Sequence, residues 1–104
     1  MRIILDENLP RPRKGIFSHH LVTTVQEQGL AGTVNGELLA RLEGMSDLFV
    51  TADKNLRYQQ NLSGRQLANL ELPTNRLPLL RPIFPGIVAA ADTVSAGAYV
   101  QLAF

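Results

Sequence analysis

Two short aliphatic runs in this chain each end in acid. Residues 1–5 run into Asp6-Glu7, and residues 47–52 run into Asp53. Runs this short and this apolar read as buried strands of a parallel sheet. Carboxylates placed just past such strands lie on the carboxyl edge of the sheet, where α/β folds hold their ligands. Between them, Asn35 and Glu37 open a segment in which Leu38, Leu39, Leu42 and Met45 recur at helical spacing, with Asn35 as its expected N-cap. A right-handed crossover into the second acidic strand starts that helix at the same edge. The sequence therefore predicts one acidic site built from Asp6, Glu7, Asn35, Glu37 and Asp53.

The rest of the pattern supports alternating strands and helices. Residues 9–17, with Pro10 and Pro12, suit a short helix or irregular turn, and residues 20–25 are β-branched and read as a strand. Residues 66–72 read as a weaker strand whose Asn69 and Glu71 alternate as if half-exposed. Residues 74–95 are helical in pattern, with a kink or break forced by Pro82 and Pro85. Residues 98–104 close the chain as a last strand. At 104 residues the chain is long enough for one core, so a single domain over 1–104 is expected. The fold class is α/β, with a mostly parallel sheet covered on both faces.

Composition excludes several chemistries. There is no cysteine, hence no disulfide, thiolate metal site or thiol nucleophile. No apolar run approaches membrane-spanning length, and the chain opens directly on a strand without a secretory leader, so a cytoplasmic location is expected. The net charge of +1 decides nothing about nucleic acid, but its distribution does. Arg11, Arg13 and Lys14 crowd one segment beside His19 and His20, while Lys54, Arg57 and Arg65 follow the second acid. Such clusters are a phosphate track or a solvated positive face. Tyr58, Gln59, Gln60 and Asn61 could stack on and hydrogen-bond unpaired bases, or form an ordinary surface loop.

Each acid also has a structural alternative. Asp6, Glu7 or Asn8 could cap a turn, Glu37 could complement a helix dipole, and Asp53 could be a turn residue. Asp47 precedes its strand and belongs to the opposite edge. Glu27, Glu43, Glu71 and Asp92 read as surface, and His19 and His20 as structural or solvated. A leftover apolar stretch, Leu79, Leu80, Ile83, Phe84, Ile87 and Val88, suggests a homodimer or partner interface.

Three segments together resemble a known group. Ile4-Leu5-Asp6-Glu7-Asn8-Leu9-Pro10, Asn35-Gly36-Glu37-Leu38-Leu39 and Val50-Thr51-Ala52-Asp53-Lys54-Asn55-Leu56 are similar to the small bacterial PIN-like domain family, related to VapC-type PIN domains. Residues 58–62 resemble one branch of it. The resemblance implies a PIN-like three-layer α/β/α sandwich and Mg2+- or Mn2+-dependent ribonuclease activity. Asp6 then matches the first-strand aspartate and Asp53 that of the Thr-x-Asp motif. Asn35 stands where many relatives carry an aspartate, so Glu37 substitutes or the site carries one negative charge fewer. Many relatives are proposed toxins of toxin–antitoxin pairs, which makes an antitoxin an expected partner.

Two functions follow as expectations. The first is an endoribonuclease acting on single-stranded RNA, with Asp6, Glu37 and Asp53 catalytic and Asp6, Asp53, Glu7 and Asn35 around the metal. Arg11, Arg13, Lys54, Arg57, Tyr58, Gln59 and Gln60 would bind RNA. The alternative is a non-catalytic PIN-like binding or regulatory module. A phospho-acceptor receiver fails, because neither Lys14 nor Lys54, the only lysines, follows the last strands.

Overall fold

A computed structural model of the chain describes residues 1–10, 16–17, 19–54 and 65–103, with the side chain of Asn35 also outside the description. Five strands form one sheet: β1 (Arg2–Leu5), β2 (Leu21–Thr24), β3 (Leu48–Thr51), β4 (Ala68–Glu71) and β5 (Tyr99–Gln101). All are parallel, in the order β2-β1-β3-β4-β5. The helices are α1 (Asn35–Leu42), α2 (Leu77–Leu80) and α3 (Phe84–Thr93), with a 3-10 turn over Arg81–Ile83 between the last two. Among the described residues no helix is long and apolar enough to cross a membrane.

Period-two alternation splits the core into two layers. Ile3, Leu5, Leu48, Val50 and Leu70 pack with Leu80, Ile87 and Ala91 on one face. Ile4 and Phe49 pack with Leu38, Leu39 and Leu42 of α1 on the other. The α/β expectation is met in this form, a parallel sheet between helices. The short helix or irregular turn expected over 9–17 lies largely outside the described residues.

Four local readings need correction. Asn35 is the first helical residue, and the N-cap is Val34, which makes no side-chain cap bond. Asn69 and Glu71 are each only 1% exposed. β4 lies between β3 and β5, and an interior strand of a parallel sheet has no solvent face. Glu43, read as surface, accepts from the N–H groups of Gln66 and Leu67 at 2.7 and 3.2 Å, tying the end of α1 to the start of β4. Finally, the apolar stretch assigned to an interface is mostly absorbed by the fold. Leu80 and Ile87 are core, Ile83, Phe84 and Val88 are half-buried, and Leu79 alone of the six is exposed. The proline break is as expected: Pro82 sits in the 3-10 turn and Pro85 in the first turn of α3.

Candidate functional site

The strand order positions the site. From β1 one neighbour is β2 and the other is β3, so the crevice at the carboxyl ends of β1 and β3 is the point where the winding reverses. Asp6 follows β1 there, Thr51 ends β3, and Asp53 lies two residues on. The ladder continues one step past β1, because the Asp6 N–H donates to the Val50 carbonyl at 2.9 Å.

Thr51 joins the two acids. Its hydroxyl donates to Asp6 Oδ2 at 2.6 Å and accepts from the Asp53 N–H at 3.0 Å. Asp6 Oδ1 accepts from the Glu7 N–H at 2.8 Å. Thr51 is fully buried and Asp6 is 9% exposed. Burial pushes the Asp6 pKa up, and the negative charges of Glu7 and Asp53 add to it. The bonds from Thr51 and the Glu7 N–H oppose the rise without cancelling it. Among the described residues, the charged groups that shift Asp6 are thus acidic.

The remaining expected residues divide. Both carboxylate oxygens of Glu7 accept from the Gly32 N–H, at 3.1 and 3.2 Å, so Glu7 secures the loop that leads into α1. Glu37 is turned along its own helix, pairing with Arg41 Nη2 at 2.9 Å and Nε at 3.2 Å on the exposed side. Asn35 occupies the first turn of α1. Lys54 is exposed beside Asp53. Arg11, Arg13, Lys14, Arg57, Tyr58, Gln59, Gln60 and Asn61 lie outside the described residues. Among the described residues no three acidic or histidine side chains form a group that could hold a metal ion. The donor set that is brought to one edge, Asp6 and Asp53 with the Thr51 hydroxyl, is all oxygen, which suits Mg2+ or Mn2+ completed by water and phosphate oxygens.

Two features escaped the sequence reading. Thr51 was legible as part of Thr-x-Asp, but not as the bridge between acids. Glu71 pairs in register with Thr51 on the next strand and takes the Tyr99 hydroxyl at 2.6 Å. Asp6, Thr51 and Glu71 thus form a polar row along one sheet face. A charged residue between Leu70 and Leu72 was the available signal.

The opposite edge is structural, as expected. Asp47 accepts from the Arg2 N–H at 2.7 Å and pairs with its guanidinium at 3.2 Å. Arg2 holds the Asp47 carboxyl below the usual aspartate range. His20 Nε2 lies 2.7 Å from Asp92 Oδ1, joining the approach to β2 with α3. A cavity of about 270 Å3 at this edge is lined by Arg2, Ser46, Asp47 and Gln66, remote from Asp6. Comparison of the chain with family profiles, with curated proteins and with solved structures finds no match.

Proposed function

We propose that the carboxyl edge is a divalent-metal site for cleaving phosphodiester bonds in single-stranded RNA, on a PIN-like sandwich. The observation that carries this is the state of Asp6, a nearly buried carboxylate that shares its sheet edge with Asp53 and is raised in pKa by burial and by the charges of Glu7 and Asp53. A divalent cation would offset the negative charge of these acids. Asp6 and Asp53 would hold the ion, and the ion would polarise the phosphate and acidify an attacking water. Thr51 orients Asp6 by donating to Oδ2 and fixes the Asp53 backbone through the same oxygen. α1 begins at this edge, so a phosphate oxygen bound there would face the positive end of its dipole. Lys54, beside Asp53, would offset charge building on the phosphate. On this reading the chain acts in the cytoplasm, and an antitoxin is the partner class that the resemblance implies.

A non-catalytic PIN-like module is the second reading, and one observation favours it. Glu37 is committed to Arg41, leaving two aspartates where a fuller acidic set was expected.

Calorimetric titration of Mn2+ separates the two. A nuclease site gives saturable binding to the wild type that is lost in Asp6→Asn and Asp53→Asn, with RNA cleavage abolished by chelation. Asn35→Asp should bind metal more tightly and cut faster. If neither the wild type nor Asn35→Asp binds metal or cuts RNA, the enzyme reading is wrong and the module stands.

A further inference from the structure

The edge strand β2 presents a surface that is complementary to itself. In its ladder with β1, the Leu21 N–H donates to Met1 O at 3.0 Å and the Val25 N–H to Leu5 O at 2.9 Å. Odd residues therefore turn their amides inward, and Val22 and Thr24 turn theirs to the open side. Among the described residues no strand pairs with that side. β2 reads Leu-Val-Thr-Thr and itself carries no charge, proline or bulge of the kind that protects an open edge. Leu21 is 77% exposed, more than any other large apolar residue described. Beside it runs a groove of about 260 Å3 whose lining includes Arg2, Ile3, Val22, Thr23, Gln28 and Met45.

We infer that two copies of the chain pair antiparallel through β2, about a two-fold axis at Val22. In that register the Val22 N–H and C=O of each copy bond those of the other. Each Thr24 N–H faces the His20 carbonyl across the axis. Leu21 of one copy then stands opposite Thr23 of the other, on the same sheet face, because residues equidistant from the axis share a side. Thr23 is a wall of the groove. Each exposed leucine therefore enters its partner's groove, and the contact is isologous and closed. The two sheets become one of ten strands.

Sedimentation equilibrium and a cysteine scan test this. The expected result is a concentration-dependent mass approaching twice 11.4 kDa. Leu21→Glu should return it to the monomer, while Leu79→Glu on α2, 44% exposed, should leave the dimer intact. The chain has no native cysteine, so Val22→Cys should be locked into a covalent dimer by a short thiol-to-thiol cross-linker, residue 22 facing its own copy across the axis. A monomer at all concentrations overturns the inference. So does a dimer that survives Leu21→Glu, one that Leu79→Glu dissociates, or one that Val22→Cys fails to lock.

Discussion

Asp6 ties the proposed chemistry to a measurable pH dependence. Burial, with the charges of Glu7 and Asp53, raises its pKa in the folded chain, so the folded state holds that proton more tightly than the unfolded state. The contribution of Asp6 to stability is therefore greatest in acid. It declines as pH rises from the ordinary aspartate value to the raised one, and stays lower above it. Asp6→Asn should flatten that decline and leave the metal-free protein as stable as the wild type, or more so, at neutral pH. The Thr51 hydroxyl can reverse its bond to meet an amide. Urea unfolding across pH 3–8 (roughly the range spanning that titration) checks it. A loss at neutral pH of about 0.5–2 kcal/mol would instead mark Asp6 as a cap. The two aspartates were visible in the sequence because each terminates an apolar run. The Glu71–Tyr99 bond was not, because the partners lie 28 residues apart and only strand pairing brings them together.

At the scale of elements, one turn carries a sharp requirement. Gly97, entering β5, has φ +75°, and a Cβ there would lie 2.6 Å from the Arg65 carbonyl oxygen. Both the backbone region and the contact exclude a side chain. Gly97→Ala should destabilise by about 1–3 kcal/mol in chemical unfolding, with Mn2+ affinity unchanged because the turn lies at the far edge from Asp6. The cores of β1 and β3 were legible to the residue, since continuous aliphatic runs admit little else. The break between α2 and α3 was legible from its prolines. The faces of β4 were not: alternation reads as half-exposure until a fifth strand is known to lie beyond it. The start of α1 was missed by one residue, because Asn35 is a good cap by type and Val34 takes the position by geometry.

At the scale of the whole molecule, the strand order was beyond the reach of local pattern, since nothing in a strand's own residues says which strands flank it. That Asp6 and Asp53 share one edge still followed, because any parallel arrangement places both there. What the order adds is adjacency. Asp6 and Thr51 lie on directly hydrogen-bonded strands at the centre of the sheet, and the amide of Asp6 is itself part of that ladder. Binding sites are commonly drawn from the parts of a protein that open most readily. Here Asp6 is fastened to two central strands, and Asp53 is tied to one of them through Thr51. Hydrogen exchange should find the Asp6 amide among the slowest in the chain, released only by global unfolding. Metal binding and the fold should then be lost at a single midpoint in urea. A destabilised variant would contain fewer folded molecules, each with its site intact, and no population of folded molecules with a loosened one.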